Sequence, residues 1–259
     1  MYTYTVGYDQ EDVSIPEGQM VGGTAIGIIM MGPVWLPWMP GNICNATTFN
    51  FPVLYKMMEE VVALEMVVAT KPHPQVLEWV IAAGKELEKQ GCRAITANCG
   101  YFGNYQKKVA AALNVPVFLS PLMQIPIIQC ALKPDQKVGV ICTNGRILRA
   151  APDLLKNCGV DDLSSVVIGG AEDFPEFDES FNVGVGRVNN VKVEQELVSL
   201  AKQMVSKNPE IGALVLECTE MPPYAWAIQK AVRLPVFDYV TMLNWVYDAV
   251  VRRPFAGFI

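Results

Sequence analysis

The sequence predicts an α/β protein made of two pseudo-symmetric domains, each a short, mostly parallel sheet flanked by helices, with the active site in the cleft between them. Three observations lead there. Apolar runs of strand length alternate with amphipathic stretches of helix length, the signature of βαβ units. A strand–cysteine–helix segment occurs twice, as ITANC-GYFGNYQKKVAAALNV-PVF from Ile95 and VLEC-TEMPPYAWAIQKAVRL-PVF from Val215. The two halves also open alike, with AIGIIMM from Ala25 and KVGVICT from Lys137, each with Gly in its third position.

The repeat is in frame. Cys99 precedes Pro116 by the same interval as Cys218 precedes Pro235, and Tyr105 and Tyr224 share one offset from their cysteine. Phe102, Tyr105, Val109 and Leu113 match Met221, Tyr224, Ile228 and Val232, three or four positions apart, the spacing of one buried helix face.

Taken in order, residues 1–24 read as irregular and Ala25 to Met31 as a buried strand ended by Gly-Pro. Residues 32–52 form a long loop rich in Pro and Trp, suited either to binding or to packing against a partner subunit. Val53 to Thr70 is expected to hold a helix and then a strand. Pro74 to Gln90 reads as a helix with Val76, Val80, Ala83 and Leu87 on one face and Gly91 as its stop. Residues 93–98 then deliver Cys99. The first domain is placed at 1–132 and the second at 133–239, with a C-terminal helix in 240–259 returning to the first.

In the second half, Lys137 to Thr143 is the opening strand, a helix runs from Asn144 through Leu155, and Ser165 to Ile168 is the next strand. Residues 169–189 are an acidic loop with three Phe, read as a lid or as an exposed loop anchored by its rings. Asn190 to Lys207 is an amphipathic helix on Val193, Leu197, Leu200, Ala201 and Met204, and Gly212 to Glu217 leads to Cys218. The last helix spans roughly Val240 to Arg252.

Composition narrows the function. A net charge of −6 without a basic run argues against a nucleic-acid partner. The apolar run Ala25–Met39 is too short to span a bilayer and is interrupted by Pro33 and Pro37. The N-terminal residues lack the pattern of a secretory signal, and the odd cysteine count of 7 suits a reducing compartment, so a cytoplasmic protein is expected. With 1 His and no C-x-x-C pair, neither a metal site nor a redox dithiol is expected, and no segment calls for a cofactor. The GVG at 184–186 lacks the strand–turn–helix setting of a nucleotide site. Buried strands and an oligomer interface account for the 51% apolar content.

Ligands of parallel sheets bind beyond the carboxyl ends of the strands, where both Cys99 and Cys218 stand. Helix starts there supply unpaired N–H groups that lower a thiol pKa from about 8.5 toward neutrality and receive a carboxylate. Two opposed thiols suit removal of a proton from one face of a carbon and its return to the other, one as thiolate base and one as thiol acid. Asn98, Gly100 and Tyr101 flank Cys99; Thr143 and Asn144 end the strand that opens the second half; Thr219 and Glu220 follow Cys218. These seven are the candidate substrate-binding residues. Cys92, Cys130, Cys142 and Cys158 read as small buried hydrophobes, and Cys44 is left open.

TANCGYFGNYQ (96–106) and LECTEMPPYA (216–225) resemble the aspartate/glutamate racemase superfamily, which also holds hydantoin racemases, maleate isomerases and arylmalonate decarboxylases. LECTE looks like the family's second cysteine motif, G-C-T-E or G-C-T-H. The resemblance covers nearly the whole chain. It implies cofactor-independent proton transfer, Cys99 and Cys218 as the catalytic pair, Thr219 as a substrate contact, and a homodimer. The chain departs from the pattern in three places. Glu220 stands where glutamate racemases carry His, Gly100-Tyr101 replaces an Asn-Thr, and Gly32-Pro33 replaces an Asp-Ser. Glu220 is nearer the aspartate racemase type, and the Trp-rich loop points to a bulkier or less polar substrate than aspartate.

Three functions are expected in turn: a racemase or epimerase of an amino acid or related carboxylic acid; a lyase on the same scaffold; and a non-catalytic module that binds a small acid. The algal dimethylsulfoniopropionate lyases of the superfamily are the precedent for the second, with Trp35, Trp38 and tyrosines holding a sulfonium by cation–π contact.

Overall fold

The computed structural model describes residues 14–259 except 16, 33 and 62. The expected irregular start therefore lies largely outside the described residues, as does Pro33 of the Gly32-Pro33 departure. The first sheet is built from β1 (Ile26–Met30), β2 (Val53–Met57), β3 (Ala94–Ala97) and β4 (Val117–Phe118). Its helices are α1 (Pro74–Lys89), α2 (Gln106–Ala112) and α3 (Ile125–Ala131). The second sheet holds β5 (Lys137–Cys142), β6 (Val166–Gly170), β7 (Ile211–Leu216) and β8 (Val236–Phe237). Around it lie α4 (Gly145–Arg149), α5 (Pro152–Asn157), α6 (Pro175–Phe177), α7 (Asn190–Lys207) and α8 (Ala225–Val232), before the closing α9 (Tyr239–Val250).

Both sheets are four-stranded and parallel, with strand orders β2-β1-β3-β4 and β6-β5-β7-β8. The order is the same in each half, which is the pseudo-symmetry the repeated segment predicts. β3 and β7 occupy equivalent inner positions, and their fully buried side chains explain the unbroken apolar runs. After each cysteine a 3₁₀ turn (Gly100–Tyr105 or Pro222–Tyr224) precedes the α-helix.

Several local expectations change. Val53–Met57 is a half-exposed edge strand followed by a short 3₁₀ turn at Leu64–Met66, not a helix and then a strand. A short apolar run carries too few periods to separate the two, and pairing with β1 from Ile26↔Val53 onward decides it. The single helix expected through Leu155 is two, because Pro152 has no N–H and forces Ala151 to φ −117° and ψ 59°. Residues 169–189 contain α6 and a π-helical turn, Asp178–Val183, with Phe177 and Phe181 buried. Cys130 is exposed rather than a buried hydrophobe, whereas Cys92, Cys142 and Cys158 are buried.

One apolar cluster runs through both halves, joining Tyr101, Phe102 and Leu119 to Val140, Leu148 and Leu154. α9 covers the first sheet, its Met242, Leu243 and Val246 packing with Ile26, Ile28 and Ala94. It starts in a capping box: Asp238 Oδ1 accepts the Thr241 N–H at 2.8 Å, and Thr241 Oγ1 accepts the Asp238 N–H at 2.9 Å. Among the described residues no helix is long and apolar enough to cross a membrane.

Leu243 is 1% exposed in this contact. Leu243→Ala is expected to lower the free energy of unfolding by about 2–5 kcal/mol, read from urea denaturation midpoints.

Candidate active site

The carboxyl ends of β3, β5 and β7 meet at a cavity of about 360 Å³. Cys99 and Cys218 both line it, with Asn98, Thr143 and Glu220. Both long loops close its sides, the first through Val34, Trp35 and Leu36 and the second through Phe181, Asn182 and Gly184. The loops touch: the Trp35 ring lies so near Gly186 that a Cβ there would collide with it. Glu65 and Leu64 complete the wall.

The other four candidate residues do not line the cavity but build the seam behind it. The Tyr101 hydroxyl donates to the Asn144 carbonyl at 2.6 Å, across the two halves. Asn144 caps α4, its Oδ1 accepting the Ile147 N–H at 3.0 Å. The Thr219 hydroxyl lies 3.0 Å from both the Asn98 carbonyl and Glu220 Oε2. Gly100 packs under Glu217, where a Cβ would collide with Oε1. The N–H groups expected to receive a carboxylate after Cys99 are already engaged, Tyr101 N–H with the Cys99 sulfur and Phe102 N–H with the Cys99 carbonyl.

The two thiols are held differently. Cys99 Sγ accepts the Tyr101 N–H, whereas the Cys218 thiol donates to Glu220 Oε2 at 2.7 Å and receives the Thr143 hydroxyl. Burial pushes both thiols well above the usual cysteine range. Glu217 adds to this at Cys99, and Glu220 and then Glu217 add to it at Cys218. The sequence-based expectation of lowered thiol pKa values is therefore corrected: the 3₁₀ turns that follow supply few free donors, and two buried carboxylates oppose a thiolate.

Sequence reasoning misses Glu217, although an acid closing an otherwise apolar buried strand is itself a signal. It is 1% exposed, accepts the Thr143 N–H on Oε2 at 3.2 Å, and forms no well-made hydrogen bond at Oε1. Burial pushes its pKa up to about 8, the Thr143 N–H offsetting only part of that. Glu220 is also raised, by burial first, against the hydrogen bonds from Cys218, Thr219 and Asn42. Asn42, from the middle of the first long loop, reaches Glu220 Oε1 with its Nδ2 at 3.3 Å; its sequence context, Gly-Asn-Ile, carries no signal of this. Of the aromatic residues expected to hold a cation, Trp35 lines the cavity and Trp38 does not; Phe181 joins it instead. Among the described lining residues there is no Lys, Arg or His, while Glu65 and Glu220 are acidic.

No family model matches the chain. It is 33% identical over 239 residues to dimethylsulfoniopropionate lyase 7 of Emiliania huxleyi (strain CCMP1516), covering 90% of this chain and 69% of that protein. Lyase 3 of the same strain is 32% identical over 239 residues, and the chain spans 61% of its length. A dimethylsulfoniopropionate lyase of Durusdinium sp. clade D is 29% identical over 235 residues, covering 88% of this chain and 77% of that one. In structure, the chain is similar to glutamate racemase of Francisella tularensis subsp. tularensis SCHU S4 in complex with D-glutamate, with TM-score 0.55, 17% identity, and 91% and 86% of the two chains covered. Allantoin racemase of Pseudomonas fluorescens superposes with TM-score 0.55 at 16% identity, covering 88% and 91%. Unliganded arylmalonate decarboxylase does so at 0.53 and 11%, covering 88% and 93%. At such identities the likeness is one of fold.

A carboxyl group that binds its proton more tightly in the folded than in the unfolded chain favours the folded state at low pH. Glu217 contributes fully below its ordinary pKa of 4.5 and loses that contribution as pH rises through about 8. Melting temperatures across this window should therefore fall more steeply with pH for the parent protein than for Glu217→Gln. Parallel curves would contradict the assignment.

Proposed function

Because this chain belongs to the dimethylsulfoniopropionate lyase family and has the fold of the aspartate/glutamate racemase superfamily, we propose that it is a lyase acting on a β-sulfonium carboxylate, with dimethylsulfoniopropionate as substrate. The observation that carries this reading is the character of the cavity. Its described wall has aromatic side chains at Trp35 and Phe181 and acidic ones at Glu65 and Glu220, with no basic side chain. Such a wall favours a substrate with a cationic end, here the sulfonium that departs as dimethyl sulfide. The names of the relatives favour elimination over the racemisation expected first from the cysteine pair.

The reaction needs one base. Glu220 accepts the proton of the Cys218 thiol along their 2.7 Å hydrogen bond, and the thiolate keeps the Thr143 hydroxyl as a donor. The thiolate takes the proton alpha to the carboxylate. That electron pair becomes the Cα–Cβ double bond as the Cβ–S bond breaks, so dimethyl sulfide leaves with the former bonding pair and acrylate remains. One proton is released to solvent, and nothing is oxidised or reduced. Cys99, on the other wall, stays a thiol. It is able to donate a hydrogen bond to the carboxylate as charge builds on it.

Incubation with dimethylsulfoniopropionate is expected to yield dimethyl sulfide and acrylate in equal amounts, by gas and liquid chromatography. Cys218→Ser should lower kcat by about 10²–10⁴-fold and Cys99→Ser by less. The rate of the parent protein should rise with pH above neutrality, since burial and Glu220 hold the Cys218 thiol above its usual range. Solvent deuterium entering a chiral amino acid or hydroxy acid without release of an alkene, with equal losses in the two variants, would instead establish the racemase.

A further inference from the structure

The first long loop belongs to the first half by sequence, yet its chain runs onto the second. Leu36 packs with the second half's apolar cluster, and the Gly41 backbone lies so close to Pro223 that a Cβ there would come within 3.0 Å of Pro223 Cα. Between these contacts and the first sheet sits Asn42, 1% exposed. Its amide is held in one orientation: Oδ1 accepts the Cys44 N–H at 2.8 Å, which leaves Nδ2 as the donor to Glu220 Oε1 at 3.3 Å. The Asn42 carbonyl accepts the Thr48 hydroxyl at 2.5 Å, and Thr48 Oγ1 accepts the Gly41 N–H at 3.0 Å, so the turn that carries the amide is itself pinned.

The consequence concerns the second oxygen of Glu220. Its Oε2 takes the Cys218 thiol. A carboxylate held on one oxygen alone rotates about its last bond; held on both, it keeps its plane and its charge where the thiol needs them. We infer that Asn42 is a positioning residue for the elimination proposed above, fixing Glu220 as the proton acceptor of Cys218 from the opposite half of the molecule. It touches Glu220 and acts on the reacting thiol only through it.

The remaining titratable groups around Glu220 are Cys44, Cys99, Glu217 and Tyr224, none of which supplies the donor that Asn42 does. Without Asn42 the carboxylate keeps the Cys218 thiol, the Thr219 hydroxyl and its own N–H, and loses the one side-chain donor to Oε1. A carboxylate that loses a donor is protonated more readily, and the pH at which the pair sheds its first proton moves up.

The test reads the thiol directly and requires no knowledge of the substrate. The rate at which iodoacetamide alkylates Cys218 is followed against pH by peptide mass spectrometry in the full chain. Asn42→Asp keeps the acceptor for the Cys44 N–H but turns a carboxylate toward Glu220. It is expected to shift the lower limb of the profile upward by about one pH unit or more, and Asn42→Ala to shift it in the same direction by less. In a Glu220→Gln background Asn42→Ala should leave the limb unmoved, and Asn42→Asp should move it by clearly less than in the parent background. An unmoved limb in the single variants, or an equal shift without Glu220, would overturn the inference. The Asn42→Asp protein should also lose kcat on dimethylsulfoniopropionate with KM little changed. If the parent protein fails to turn over that substrate while the alkylation shift holds, the substrate assignment falls and the positioning role stands.

Discussion

A strand in the middle of a parallel sheet leaves at its carboxyl end into a turn that must face the ligand side of that sheet. In this protein one inner strand of each sheet, β3 and β7, leads into that turn with a buried cysteine. Because the sheets share one strand order, the two turns are equivalent, and bringing the halves together sets both sulfurs on one cavity. The seam around them depends on the same placement. Tyr101 bonds to Asn144, Thr219 to Asn98, and Glu217 presses on Gly100, each across the halves.

Burial then sets the chemistry. Two carboxyl groups, Glu217 and Glu220, are enclosed beside two thiols, and enclosure raises all four together. A site of this kind holds protons tightly and disfavours additional negative charge. In the proposed elimination a base needs a partner for its proton, and of the two thiols the described hydrogen bonds give Glu220 to Cys218. The asymmetry gives the pair unlike surroundings, and in the proposed elimination unlike roles, although the sequence repeat that made them is symmetric. It also matches a reaction that removes a proton and returns none to carbon.

The parts legible in the sequence are those with a period or a repeat. The doubled cysteine segment reveals the fold, the matching halves and the candidate catalytic pair, because a helix face and a strand run each leave a spacing. The edge strand Val53–Met57 is misread because five residues hold too little of either period, and pairing with a neighbour far along the chain settles it. Gly100, Tyr101, Asn144 and Thr219 are found by proximity in sequence to the cysteines or to a strand end, but in the fold they build the seam behind the cavity and not its wall. Glu217 offers a signal, an acid in an apolar strand. Asn42 offers none, since only the folding of the long loop across the second half brings it to Glu220.

In the proposed elimination a cationic group lies against Trp35, Phe181 and Glu65 while the carbon alpha to the carboxylate lies beside the side chain at position 218. A crystal structure of the slow Cys218→Ser variant soaked with dimethylsulfoniopropionate tests this placement most directly. The mechanism predicts the sulfonium at the aromatic and acidic wall, with Cα within about 3–4 Å of the hydroxyl oxygen that the substitution introduces. A ligand with its carboxylate at that wall, or with Cα nearer Cys99 than that hydroxyl, would contradict it.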